Sequence, residues 1–276
     1  MPIDPDVAVG AELPGRDLSW DSTDVLLYHL AVGAGADELS YVYEGELRGV
    51  LPTFATVATT LRDTGMPSVS MPGIDVDLAR VVHGRQEIEL HRPIPVKGRC
   101  VARSRIAAVH DKGSAAVVVT ETTTELFTSR ISIFVKGEGG FGGDRGPSTR
   151  VPVPEREPDA EVLSPVDPRQ ALWYRLCGDR NPLHVDPAFA ARAGFPRPIL
   201  HGLCTYGMVA KAAIDAGLDG DLDRVAGYRA RFAGVVFPGE TLRTRIWRED
   251  DRLVLLATVA DRDDAPALSD AVITLR

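Results

Sequence analysis

LHGLCTYGMVAKAAIDAG, Leu200 to Gly217, is apolar almost all round, and Gly217 stops it. The pattern predicts a helix from about Gly202 to Ala216 that lies inside a core. Strand-like runs follow: VAGYRARFAGVVF, TLRTRIWRE, RLVLLATVAD and SDAVITLR. The first half has the same order. LPTFATVATTLRDTG, Leu51 to Gly65, has Pro52 early, an apolar circumference and a closing Gly, and predicts a second buried helix. EIELHRPIPV, CVARSRIAAVHD, AAVVVTETTTEL and SRISIFVK then give His83 to Lys136 a β texture rich in Val, Ile and Thr. Arg103-Ser-Arg-Ile106 answers Arg243-Thr-Arg-Ile246, and Leu51-Pro-Thr-Phe54 answers Leu200-His-Gly-Leu203. The chain therefore reads as a duplicated α+β unit whose two sheets pair edge to edge.

Working outward, Asp21 to Gly35 reads as a short helix capped by Asp21, Ser22 or Thr23, after a loose start. YVYEGEL, Tyr41 to Leu47, reads as a strand. Gly137 to Pro165, rich in Gly, Pro and charge, is expected to be a surface connection. That sets a boundary near residue 150, with halves 1–150 and 151–276. The Gly-rich part lacks the ending of a phosphate loop, and no helix follows it.

Composition narrows the function. Hydrophobic content of 44% and charged content of 25% are ordinary for a soluble globular chain. A net charge of −8 argues against nucleic-acid binding and means that a polyanionic ligand needs a local basic patch. Cys100, Cys177 and Cys204 are sparse, odd in number and without metal spacing, as in a reducing compartment. No apolar run approaches the roughly 20 residues of a membrane span. The acidic, Pro-rich start is unlike a secretory signal, and ITLR is no peroxisomal address. The expectation is cytoplasmic.

The chemistry sits just ahead of the apolar helix. Gly178-Asp179-Arg180-Asn181-Pro182-Leu183-His184 places a carboxylate, an amide and an imidazole within six residues. A bend at Pro182 brings His184 round to Asp179 and Asn181, and the three can hold one water and move its proton. The same residue types also build ordinary turns, so this reading stays open on spacing alone. His184 and His201 lack metal-ligand spacing, and no third ligand stands near them in sequence. A helix starting at Gly202 offers free N–H groups and a favourable dipole to a developing anion. Close packing would also explain that glycine.

Tyr174-x-Leu176-Cys177-Gly178-Asp179-x-Asn181-Pro182-Leu183-His184-x-Asp186-Pro187, with Pro198-Ile-Leu-His201-Gly202-Leu203-Cys204, resembles the hydratase 2 signature of the MaoC-like dehydratases. The first half is similar to the hydratase 2 unit of peroxisomal multifunctional enzyme type 2. It shares Tyr28…Val32-Gly33-Ala34, Tyr43-Glu44-Gly45, Leu51-Pro52-Thr53-Phe54, His83-Gly84-x-Gln86 and Gly139-Gly140-Phe141-Gly142-Gly143. The resemblance omits only about the first fifteen residues. Arg85 departs from it, where an acidic residue is common.

The resemblance implies a double hot-dog, two repeats each with a long central helix wrapped by a curved antiparallel sheet. It implies reversible (R)-specific hydration of trans-2-enoyl-CoA to (3R)-3-hydroxyacyl-CoA, with no cofactor or metal, in a homodimer. Asp179 and His184 match the catalytic pair, Asn181 the water-orienting amide, and the Gly202 N–H the oxyanion donor. Tyr28 and Glu44 match active-site positions, and Leu203 joins them as a substrate-binding residue. The first half, lacking its own GDxNPxH, is expected to bind the acyl chain. Arg229 and Arg231 share one strand face and are the candidates for the CoA phosphates, unless that face is simply solvated. A (3R)-hydroxyacyl dehydratase acting on acyl carrier protein and a hot-dog thioesterase are the rival readings.

Overall fold

The computed structural model describes residues 2–65, 69–148 and 150–276; Met1 of the acidic start and Thr149 of the connection lie outside the described residues. In chain order the elements of the first half are α1 (Pro5–Ala8), β1 (Glu12–Trp20), α2 (Ser22–Ala31), α3 (Leu39–Val42), α4 (Ala55–Ala58), β2 (Ser70–Met71), β3 (Ile74–Asp75), β4 (Val81–Leu90), β5 (Gly98–Asp111), β6 (Ala115–Thr123) and β7 (Phe127–Lys136). The second half adds β8 (Ala160–Pro165), α5 (Gln170–Tyr174), α6 (Pro187–Arg192), α7 (Gly202–Leu218), β9 (Val225–Phe232), β10 (Thr241–Arg248), β11 (Arg252–Val259) and β12 (Ala265–Leu275).

Ten of these strands form one antiparallel sheet in the order β1-β5-β6-β7-β4-β9-β12-β11-β10-β8. Read inward from its two ends, the order repeats: β1 matches β8, β5 matches β10, β6 matches β11, β7 matches β12 and β4 matches β9. The repeated RSRI and RTRI fall on the matched strands β5 and β10. The halves join at the centre, where β4 pairs with β9 through Gln86↔Ala230 and Ile88↔Tyr228. Pairing edge to edge leaves β1 and β8 as the two edges of this sheet. This is the double hot-dog expected from the sequence.

α7 is the long helix of the fold, at 17 residues, and it is buried along most of its length. Val209, Ile214 and Leu218 are each at most 2% exposed. Burying each such side chain favours folding by about 1.5–3 kcal/mol. β9 shows how the sheet meets it. Tyr228 stacks on Tyr206 of α7 at 4.1 Å, and the Tyr206 hydroxyl donates to the Tyr228 carbonyl at 2.7 Å. Residues two apart share a face, so Tyr228, Ala230 and Phe232 face α7 while Arg229 and Arg231 face away.

Four expectations need correction. The helix predicted for Leu51–Gly65 is a 3₁₀ turn at Pro52–Phe54 followed by the single turn of α4. Beyond it, the Thr59 carbonyl accepts from the Arg16 guanidinium group instead of from a helical N–H, and the Asp63 carbonyl accepts from Arg180. The first repeat therefore lacks the long central helix. Tyr41–Leu47 is not a strand: α3 and a turn occupy it, with the Tyr41 ring edge-on to His29 at 5.4 Å. The loose start contains β1, and the connection contains β8. No helix among the described residues is long and apolar enough to cross a membrane.

Candidate active site

The loop carrying Asp179 begins where a 3₁₀ turn, Arg175–Cys177, ends at Gly178. Gly178 has φ +115°, which only glycine adopts readily. A Cβ there would lie 1.8 Å from the Thr60 carbonyl oxygen, so the loop is seated directly on backbone of the first half. Local hydrogen bonds then set its course. The Asn181 N–H donates to Asp179 Oδ1 at 3.1 Å, and the Leu183 N–H donates to Asn181 Oδ1 at 3.0 Å. The second bond caps the 3₁₀ turn Pro182–His184 and leaves the Asn181 NH₂ as the donor end of that amide. Asp186 caps α6 in turn, accepting from the Ala188 N–H at 2.8 Å.

His184 is 8% exposed, and its Nδ1–H donates to the Ile199 carbonyl at 2.9 Å. That bond fixes the tautomer and leaves Nε2 bare as a proton acceptor. His201 stacks on it with ring centroids 3.7 Å apart and planes 25° apart. His201 Nε2 lies 3.4 Å from the Asp179 carbonyl, and Tyr174 packs against its ring at 4.9 Å. Burial lowers the pKa of His184, against the pull of the Asp179 charge. It lowers that of His201 far more, with the neighbouring His184 adding to the effect. Both imidazoles are therefore neutral near pH 7.

Asp179, His184 and His201 offer donor atoms that all lie within 4.8 Å of one another, a third ligand the spacing did not reveal. Near-parallel rings 3.7 Å apart nevertheless direct their in-plane lone pairs along separate planes. A zinc ion at about 2.0–2.1 Å from both nitrogens would have to sit far out of each ring plane. The geometry suits proton transfer better than metal ligation.

Gly202 opens α7 beside this cluster, and the first N–H groups of a helix have no acceptor within it. Its missing side chain also has a packing reason: a Cβ would lie 3.1 Å from the Phe232 ring. Phe232 in turn packs on His83 at 4.6 Å, so the first half reaches the rim of the site through His83. Burial pushes the His83 pKa down to about 4. Leu203 is half-buried against the main core. Tyr28 is fully buried next to Tyr174, at 6.3 Å between ring centroids, one ring removed from His201.

Three predicted substrate-binding residues are not brought to this cluster. Glu44 is exposed beyond α3. The α3 region binds the far part of α7, where the Tyr41 hydroxyl donates to Asp215 at 2.6 Å. Asp215 is thirteen residues from Gly202, roughly 20 Å along the helix. Arg229 and Arg231 lie on the sheet face away from α7, and Arg231 pairs with Asp270 at 2.8 Å. Sequence reasoning missed His201 and Tyr174 as parts of the site. A signal for His201 was available: it occupies the N-cap of α7, where Ser, Thr, Asp or Asn is preferred, and makes no capping bond.

A double hot-dog with one acid–base loop, held beside the open N-terminus of its long helix, is the build of a hydro-lyase. The comparisons place it further. Residues 150–263 match the family model described as MaoC like domain, and residues 18–137 match the MFE-2 hydratase 2 N-terminal domain. The chain is 54% identical to enoyl-CoA hydratase ChsH3 of Mycobacterium tuberculosis, over 98% of each chain. It is 38% identical to peroxisomal multifunctional enzyme type 2 of Mus musculus, over 97% of this chain and 38% of the mouse protein. The crystal structure of a MaoC-like dehydratase from Phytophthora capsici superposes with a TM-score of 0.89 at 28% identity, over 99% of this chain and 98% of that one. The chain belongs to the MaoC-like hydratase 2 family.

Proposed function

We propose that this protein reversibly hydrates trans-2-enoyl-CoA to (3R)-3-hydroxyacyl-CoA. The observation that carries the reading is the convergence of Asp179, Asn181 and neutral His184 beside the helix start at Gly202. Water adding across a conjugated double bond needs hydroxide character at Cβ, a proton at Cα and support for an enolate-like thioester oxygen. The water oxygen forms the Cβ–O bond. One water proton passes to the Asp179/His184 pair and one proton from the pair reaches Cα, so the pair ends the turnover as it began. The bare Nε2 of neutral His184 supports it as the first acceptor, with the Asn181 NH₂ orienting the water. Acid–base assistance of this kind gives about 10²–10⁴-fold. A pre-aimed N–H at Gly202 is worth about 3 kcal/mol to the oxyanion.

The chemistry needs no metal or cofactor beyond the thioester. The net charge of −8 disfavours an acidic carrier protein as the acyl donor, and the similarity to an enoyl-CoA hydratase supports CoA. The short α4 leaves the first half to take the acyl chain, with Tyr28 and Leu203 as lining residues. A homodimer in the cytoplasm completes the proposal, and sedimentation and cell fractionation test those two parts.

The deciding experiment incubates the protein with crotonyl-CoA and with a longer enoyl-CoA, follows loss of the enoyl absorbance and resolves the product on a chiral column. A (3R) product supports the proposal. A (3S) product, or release of free CoA without hydration as a thioesterase would give, overturns it.

A further inference from the structure

His201 touches both members of the acid–base pair. Its ring covers one face of His184 at 3.7 Å, and its Nε2–H donates to the Asp179 carbonyl across 3.4 Å. It is 1% exposed, and its Nδ1 has no hydrogen-bond partner among the described residues. A bare nitrogen buried this way costs stability that an apolar ring would not. Nor does its side chain serve the helix it begins, since it occupies the N-cap of α7 without a side-chain capping bond.

We propose that His201 is a positioning residue of the hydration reaction, fixing the ring plane of His184 by stacking and the backbone of Asp179 by its hydrogen bond. Among the described residues the His184 ring otherwise has a single tether, the Nδ1–H bond to Ile199, about which it can rock and swing Nε2 off the water. Stacking removes that freedom. Two rings this close do not both become imidazolium, so the proton in transit stays on the Asp179/His184 pair. The groups facing His184 are Asp179 on its own loop and His201 from the start of α7. Tyr174 and the Arg175 charge lie behind His201.

The inference rests on the hydratase reading for its kinetics and stands apart from it in one measurement, the ¹⁵N signals of the His184 ring. In the wild type these report the Nδ1–H tautomer and a pKa below that of a free imidazole. His201→Ala is expected to raise that pKa, move the acid limb of kcat/KM to higher pH and lower kcat by about 10²-fold, with KM little changed. His201→Phe keeps the stack and loses the bond to Asp179. It should leave the His184 titration near the wild type and lower kcat by less, and it carries the test if the Ala variant does not fold. A folded Ala variant with wild-type kcat and titration overturns the inference. So does a loss confined to KM, or a Phe variant with wild-type kcat. A wild type that does not hydrate enoyl-CoA removes the proposed function, while the His184 titration still judges the contact.

Discussion

Replacing Gly178 by Ala tests whether the catalytic loop is seated on the first half as described. Two effects act at once. The residue keeps φ +115°, which costs an L side chain about 1–2 kcal/mol. The new Cβ starts 1.8 Å from the Thr60 carbonyl oxygen and 2.5 Å from its carbon, both backbone atoms with no rotamer to yield. A carbon–oxygen contact relaxes only at about 3.3–3.6 Å, so the loop must withdraw by roughly 1.5 Å. Overpacking of this kind costs about 1–3 kcal/mol. The sum is about 2–5 kcal/mol, a fall in Tm of roughly 4–20 °C for a chain of this size. Asp179 is the next residue and moves with the loop, and a shift of about 1 Å at a catalytic group costs about 10²-fold in rate. Gly194→Ala is the matched control. Its φ is +85°, but nothing lies within 4 Å of the new Cβ, so only the backbone cost applies and kcat should hold. Differential scanning calorimetry and enoyl-CoA kinetics on both variants separate strain from collision. If Gly178→Ala melts no lower than Gly194→Ala and turns over like the wild type, the loop does not bear on Thr60.

Asp179→Asn and His184→Ala should each lower kcat by about 10²–10⁴-fold with Tm little changed, and near-full activity in either would remove the assigned roles. His29 is buried and neutral: its Nδ1–H donates to the Tyr41 carbonyl at 2.9 Å, and its Nε2 accepts from the Leu51 N–H at 3.1 Å. Its pKa is lowered from 6.5 to about 4 by burial, so its contribution is whole above pH 6.5 and is lost as pH falls towards 4. That loss is about 3 kcal/mol, and His29→Gln should flatten the dependence of Tm on pH over that window. Lys211 pairs with Glu38 and with Asp215, carboxylates that are 35% and 33% exposed. Lys211→Met should therefore lower stability by less than the roughly 3–5 kcal/mol of a fully buried pair, and calorimetry beside kinetics should find kcat untouched. Arg229→Ala and Arg231→Ala should leave KM for the acyl-CoA unchanged; a several-fold rise would return the CoA phosphates to that face of the sheet.

What the sequence revealed and what it hid follow one physical division. Elements buried on all sides carry their own pattern: α7 is apolar all round, and the central strands are dense in β-branched residues. The two strands of the ten-stranded sheet that escaped notice, β1 and β8, are its two edges. β1 contains Pro14 and Gly15, which an edge tolerates because it lacks a second ladder of hydrogen bonds, and the register with β5 slips between Leu13 and Arg16. β8 never becomes fully buried, so no apolar alternation marks it within the Pro-rich connection. Tyr41–Leu47 misled in the other direction. Its Tyr and Val have high β propensity, but the Tyr41 ring and carbonyl are held by His29 and its hydroxyl by Asp215, partners 12 and 174 residues away in sequence.

The same division runs through the site. Asp179, Asn181 and His184 were legible because one short loop carries them, with the turn residues that aim them. His201 was not, because its importance lies in a ring-to-ring contact that sequence spacing does not encode. A full helix continuing from α4 would consume the Thr59 carbonyl in its own hydrogen bonds. Stopping it presents Thr60 to Gly178, and beyond it the Asp63 carbonyl accepts from Arg180, both within the loop that carries Asp179. The repeat that lost its long helix thus became the seat for the loop of the repeat that kept one. That asymmetry puts the candidate acid–base loop on one side of the duplicated fold.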